Sequence, residues 1–224
     1  MAPSPDILAR LTECGFKNGR VVPYPVAAPA PAASAPVPFS ALLFAGAARA
    51  DKGFALVVDL VELLHRAGKS IPVVIQASPP HNGKFEPAVQ AALQRLDAIG
   101  YPHLQKIERT LNMDEYRALF RGAISIQPYD RAEFAGDRVS GVTLDSFLGG
   151  CPIVVTSDTL MARMAERFGA GLAVEALSAE TLWAAAEKIM ADYATFQAGA
   201  QRGGAALQQE NSASHLLGIL AGDR

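Results

Sequence analysis

Asp137 and Asp145 bracket Arg-Val-Ser-Gly-Val-Thr-Leu, and Ser-Phe-Leu-Gly-Gly-Cys-Pro-Ile-Val-Val-Thr156 follows at once. Ser140-Gly141 reads as a turn that opens a helix, and Gly149-Gly150 closes it before a Pro-led apolar strand. A helix start leaves backbone N–H groups unpaired and carries partial positive charge, so it attracts phosphate. A carboxylate nearby accepts hydrogen bonds from sugar hydroxyls. That pairing suits a nucleotide-sugar. The plain structural account is that Asp137 or Ser140 caps the helix. Asp145 resists that account: it lies among Val142, Leu144, Phe147 and Leu148, where a carboxylate must meet a donor or face a cleft.

A second stretch, Phe44-Ala-Gly-Ala-Ala-Arg-Ala-Asp-Lys-Gly53, ends a strand at Gly46 and places Lys52-Gly53 at the entrance of the next helix. Lys52 there can reach a diphosphate. The pattern matches neither a P-loop nor a Gly-x-Gly-x-x-Gly fingerprint, and the alternative is a tight turn at Gly46 with Lys52 solvated. The segment from Pro128 to Ser140 is long for a strand-to-helix link and rich in charge, with Asp130, Arg131, Glu133, Asp137 and Arg138. Loops of that length in compact domains are often functional.

The elements that must hold these loops follow from hydrophobic period. Strands are expected at Ala41 to Ala45, Ile71 to Ala77, Leu104 to Arg109, Ala123 to Gln127, Ile153 to Val155 and Gly171 to Val174. Helices alternate with them: Gly53 to Ala67, one marked by Phe85, Val89, Leu93 and Leu96 with Pro87 in its first turn, and one opened by the capping box Asn112 to Glu115. Ser140 to Leu148 and Thr159 to Phe168 follow, then a long helix from Leu177 to about Ala198 and an amphipathic stretch from Ala206 to Leu220. Such alternation predicts an α/β fold, a Rossmann-like doubly wound parallel sheet of about six strands. Residues 1–26 read as a short lead-in helix near Asp6 to Glu13 with an edge strand at Arg20 to Val26. Residues 27–38 form a Pro/Ala connector, 39–200 the sheet domain and 201–224 a C-terminal helix and tail.

Half of the 224 residues are hydrophobic (50%), enough for a buried core. A net charge of -2, with Lys and Arg scattered, shows no footprint for nucleic acid. Cys14 and Cys151 stand far apart and suggest neither a disulfide framework nor a zinc site, which fits a reducing compartment. His65, His81, His103 and His215 share no ligand spacing, so no metal is expected. Trp183, Tyr193 and Phe196 fit packing better than a stacking platform. No apolar run is long enough to span a bilayer, and the start lacks a signal peptide's blocks. A cytoplasmic place is expected, with any contact to the inner membrane face supplied by a longer protein.

Taken together these motifs resemble the C-terminal, donor-binding domain of GT-B glycosyltransferases, in the large retaining group that includes glycogen synthase and sucrose synthase relatives. That family carries Gly-Arg-Leu-x-x-x-Lys-Gly after the domain's first strand, matched here by Gly46 and Lys52-Gly53. Its Glu-x7-Glu loop is matched by Asp137 and Asp145, and its Ala-x-x-x-Gly-x-Pro-Val-Val run by Gly150-Cys-Pro-Ile-Val-Val155. Pro128-Tyr129, the helix from Met113 to Phe120 and Val21 to Val26 also resemble family segments, so the likeness runs over about residues 4–200. Two departures stand out. The family arginine is Ala47 here, with Arg49 two residues on, and both glutamates are aspartates, one methylene shorter.

The resemblance implies roles by position. Lys52 neutralises the leaving diphosphate, with Arg49 beside it, and the N–H groups of Ser140, Gly141 and Val142 cradle the phosphates near Gly46. Asp145 accepts from the ribose hydroxyls and Asp137 holds hydroxyls of the donor sugar. Lys52 and Asp137 are thus the implied catalytic pair, in a transfer that requires no divalent metal and no cofactor beyond the nucleotide-diphospho-sugar substrate. The family also carries an N-terminal acceptor domain, which fewer than 40 residues before the sheet cannot supply. The implied chain is therefore inactive without that domain or a partner subunit. Two other readings stand: a nucleotide-sugar 2-epimerase-like domain, for which acid and base residues are not evident, and a non-catalytic module whose two aspartates have ended donor binding. The setting implied by analogy is polysaccharide synthesis.

Overall fold

The computed structural model describes residues 2–26, 36–79, 83–135 and 138–222. Helix α1 (Pro5–Glu13) leads to β1 (Ala41–Phe44), a 3-10 turn (Ala50–Lys52) and α2 (Phe54–Arg66). Then come β2 (Val73–Gln76), α3 (Pro87–Ile99), β3 (Leu104–Ile107), α4 (Met113–Ala118), β4 (Ala123–Gln127) and α5 (Gly141–Leu148). The chain continues through β5 (Ile153–Thr156), α6 (Leu160–Phe168), β6 (Gly171–Val174), α7 (Ala179–Ala191), α8 (Tyr193–Glu210) and α9 (Ala213–Ala221).

The six strands pair in parallel in the order β3-β2-β1-β4-β5-β6, with Leu42 opposite Val73 on one side and Ile124 on the other. Buried on both faces, the strands need no polar alternation: β1, β4 and β5 are inaccessible along their whole length. On one face Leu42, Phe44, Ile75, Ile124 and Val154 pack with Phe54, Leu64, Leu182 and Trp183 of α2 and α7. On the other, Ile153 and Val155 meet Phe147 and Met161, while Leu43 and Ala45 meet Val142 and Phe120. Trp183 and Tyr193 lie in the core, and Phe196 packs against it. The doubly wound fold is the one expected. In this order the chain reverses direction across the sheet between β1 and β4, and the crevice beyond their carboxyl ends is where such sheets take ligands.

Three expectations are corrected. Arg20 to Val26 is no strand; it contributes a single bridge, Val21 to Ala2, because its prolines 23 and 25 have no N–H to give a ladder. The single helix expected from Leu177 to Ala198 is two, parted at Asp192 (φ −131°, ψ 45°). The stretch from 206 to 220 is likewise divided, since α8 runs on to Glu210 before α9 begins. Packing sets the first break: α8 lies so close to α5 and to the end of α6 that a Cβ on Gly204 would fall 2.3 Å from the Phe147 carbonyl oxygen, and one on Gly199 2.1 Å from that of Gly169. Helical glycines cost about 1 kcal/mol each against alanine, a penalty accepted here for backbone contact that a straight continuation of α7 would miss. At the second, Asn211 Nδ2 donates to the Tyr24 carbonyl and Ser212 caps α9. Of the connector, only residues 36–38 are described, and the Val37 N–H donates to Gln197 Oε1. Among the described residues, no helix is long and apolar enough to cross a membrane.

Candidate functional site

Helix α5 is held over β4 by a buried polar lattice. Thr143 Oγ1 donates to Gln127 Oε1 at 2.5 Å, and Gln127 Nε2 donates to Ser125 Oγ at 3.0 Å and Ser146 Oγ at 3.2 Å. Every member is buried, so each bond replaces one lost to water and the helix axis is fixed against the strand. Ser140 precedes the helix but does not cap it; its hydroxyl donates instead to Tyr129 Oη at 3.2 Å. The helix's own bonds begin at Thr143 and Leu144, both donating to the Ser140 carbonyl. Among the described residues the first-turn N–H groups of Gly141 and Val142 meet no acceptor, which leaves them for an outside one, and nothing lies within 4 Å of where a Cβ of Gly141 would be.

The loop after β1 comes to the same place. Gly46 donates its N–H to Gln76 Oε1 at 2.7 Å, which ties the end of β1 to β2. A Cβ on Gly46 would sit 2.8 Å from Lys52 Nζ and 3.3 Å from Val142 Cγ2, so the ammonium and the first turn of α5 meet above this residue. Two contacts lock the loops: Gly53 presses on the Pro128 carbonyl, and the Asp130 N–H donates to the Asp51 carbonyl at 2.9 Å. Lys52 has no ion pair among the described residues. Burial lowers its pKa, Arg49 and Arg138 lower it further, and Asp51 offsets part of the shift.

Around Lys52 lies a small cationic group. Arg49 Nη2 meets Asp51 Oδ2 at 2.5 Å, and Arg138 Nη2 reaches the same oxygen at 3.6 Å. Arg138 also pairs with Glu133 at 3.2 Å and stacks 4.5 Å over the Phe134 ring. Two guanidiniums and an ammonium thus stand beside a helix N-terminus at the sheet's reversal, an arrangement whose charge and N–H donors suit an anion.

Asp145 lies one turn along α5 from Val142, on the same side of the helix. The donor it requires is Tyr116 of α4, whose hydroxyl donates to Oδ2 at 3.0 Å. Burial raises the pKa of the carboxyl, while Tyr116 and Arg117 pull it back in part. Because the folded carboxyl titrates above its ordinary 3.8, the unfolded chain releases this proton first, and stability falls as pH climbs through that interval. Asp145→Asn keeps an acceptor for Tyr116 and removes the charge. Urea unfolding of both proteins at pH 4 and pH 7 is expected to show the variant gaining on the wild type at the higher pH; a constant gap would contradict the assignment.

The structure therefore brings together Gly46, Lys52, Ser140, Gly141 and Val142, with Asp145 a turn away and Arg49 joined through Asp51. Asp137 lies outside the described residues. Reading the sequence missed Asp51 and Gln76 as site residues, and took Arg138 only as a loop charge and Tyr116 only as part of the helix from Met113 to Phe120. Among the described residues, no group of three or more His, Cys, Asp and Glu is placed to hold a metal ion.

No protein-family model and no curated protein sequence matches the chain. Solved structures do match. A sucrose-phosphate synthase from Thermosynechococcus elongatus superposes with a TM-score of 0.73 at 15% identity, over 99% of this chain and 56% of that one. The C-terminal domain of a group 1 glycosyl transferase from Francisella tularensis gives 0.59 at 14%, over 79% of this chain and 89% of that domain. An Anabaena protein solved in complex with UDP gives 0.62 at 13%, over 98% and 52%. The fold is that of a GT-B C-terminal domain. The chain spans about half the length of the synthase it matches.

Proposed function

We propose that this domain binds the nucleotide-diphospho-sugar donor of a glycosyltransferase and eases departure of the diphosphate. The observation that carries the reading is the meeting of Lys52 Nζ and the first turn of α5 over Gly46. Diphosphate placed there receives N–H donors from Gly141 and Val142 and charge from Lys52, with Arg49 near. As the bond from the anomeric carbon to the diphosphate oxygen breaks, its electron pair leaves on that oxygen, and fixed donors stabilise the charge as it grows. In this reading Asp145 takes the ribose hydroxyls through the lone pairs that Tyr116 leaves open, and Asp137 takes hydroxyls of the sugar. The cations present supply the charge, so the reading assigns no metal, and it follows the retaining group in stereochemistry. The acceptor lies on a second domain or subunit, with polysaccharide or glycoconjugate synthesis as the setting.

The Tyr116–Asp145 bond favours one other reading, a module that has kept the fold while its carboxylate is satisfied internally. Calorimetric titration with UDP, GDP, ADP and their sugars separates the two. Micromolar to millimolar binding of at least one nucleotide, lost in Asp145→Ala, is expected; silence towards all of them supports the module. Sugar transfer by this polypeptide alone is expected to be absent, and robust turnover without a partner would refute the two-part arrangement.

A further inference from the structure

Asp51 stands where an anion-binding loop has least use for a carboxylate. Its neighbours are Arg49, Lys52 and Arg138, the groups that give the crevice its charge. Its Oδ2 meets both guanidiniums, whereas Oδ1 is buried and has no hydrogen-bond partner among the described residues. A buried carboxylate oxygen left unsatisfied is destabilising, and a position under selection for stability alone would shed it. The loops are also joined without that side chain. The Asp51 backbone carbonyl accepts from Asp130, and Gly53 packs on Pro128, contacts that survive any change of the side chain.

What the carboxylate does do is electrostatic. It engages the same cations that a diphosphate would engage, and its own charge repels that diphosphate. Glu133 does the same to Arg138 from the rim, but as an exposed group it is screened by water and yields more readily. We propose that Asp51 is an internal counter-ion that competes with the nucleoside diphosphate for Arg49 and Arg138, holding them in place while empty and weakening the grip on the leaving product. The identity of the anion rests on the donor-binding reading above; the sign of the effect does not.

The test is calorimetric titration of the wild type, Asp51→Asn and Asp51→Glu with UDP, GDP, ADP and inorganic pyrophosphate, at about 20 mM and about 300 mM salt. Asp51→Asn keeps the shape and an acceptor for Arg49. It is expected to bind the preferred diphosphate about tenfold tighter at low salt, with the gain shrinking as salt rises, whereas Asp51→Glu stays near the wild type. A merely structural role for Asp51 predicts the opposite sign. Weaker or unchanged binding by a folded Asp51→Asn therefore overturns the proposal. Should that variant fail to melt cooperatively, Asp51→Ser carries the same prediction. If the wild type ignores every nucleotide, the donor-binding reading falls. Pyrophosphate binding gained in Asp51→Asn then upholds the inference, and none gained overturns it.

Discussion

Lys52→Met is expected to weaken nucleoside diphosphate binding by about 100-fold while raising the melting temperature slightly. Both signs follow from the same geometry. The ammonium is held beside Gly46 and Val142 without an ion pair among the described residues, and two arginines stand near it. A hydrogen bond from a charged donor contributes roughly 1.5–3 kcal/mol, and each 1.4 kcal/mol is about tenfold in affinity. Partial exclusion of water moves the loss towards the upper end.

Among the described residues the ammonium meets no carboxylate, and it sits in a poor solvent, so its removal relieves the fold. Burial is the first cause that lowers the lysine's pKa, and a base whose folded pKa lies below 10.5 destabilises while charged. That penalty fades as pH rises through the folded pKa towards 10.5. The stability advantage of Lys52→Met is thus expected to narrow between neutral and strongly alkaline pH, while wild-type affinity for diphosphate declines over the same range. Thermal melts and titrations at matched pH read both. A variant that binds as well as the wild type would remove Lys52 from the site.

How much of this was legible before any coordinates depends on where each determinant sits. The ends of β4 and β6 fall where hydrophobic period places them, and the Asn112 cap of α4 forms with Glu115 as its spacing implies, because those signals are local. Gly46, Lys52 and the turn at Ser140 to Val142 are legible for a related reason. They lie at strand ends and helix starts, and in a doubly wound sheet those ends share one edge. The break at Asp192 is different. It is set by the approach of Gly199 and Gly204 to backbone elsewhere, about which residues 177 to 198 alone say nothing. Asp51 with Arg138, and Asp145 with Tyr116, are pairs joined across separate loops or helices. The need for a partner at Asp145 is readable from its apolar neighbours, but which of many donors supplies it is a matter of packing. Side-chain pairing between crossover connections is the layer of information that hydrophobic period does not carry.

The close approach of those connections supplies the largest stability effect. Gly53 sits at φ +69°, and a Cβ there would fall 2.1 Å from the Pro128 carbonyl oxygen and 2.9 Å from its Cγ. Gly53→Ala must therefore accept a left-handed backbone, at about 1–2 kcal/mol, and push a carbonyl of the opposite loop away, at about 1–3 kcal/mol more. The sum of about 3 kcal/mol lowers the melting temperature by roughly 6–12 °C in a domain of this size. Gly68→Ala is the control, because Gly68 has a similar φ of +62° but nothing within 4 Å of its Cβ position. It is expected to lose only the backbone part, about 1–2 kcal/mol. The function should part the two variants further. Displacing Pro128 separates Lys52 from the start of α5, so Gly53→Ala loses diphosphate affinity by about tenfold or more at a temperature where it remains folded, and Gly68→Ala binds as the wild type does. Equal melting shifts in the two variants would show that the loops yield freely, and the crevice would then owe its shape to something other than this contact.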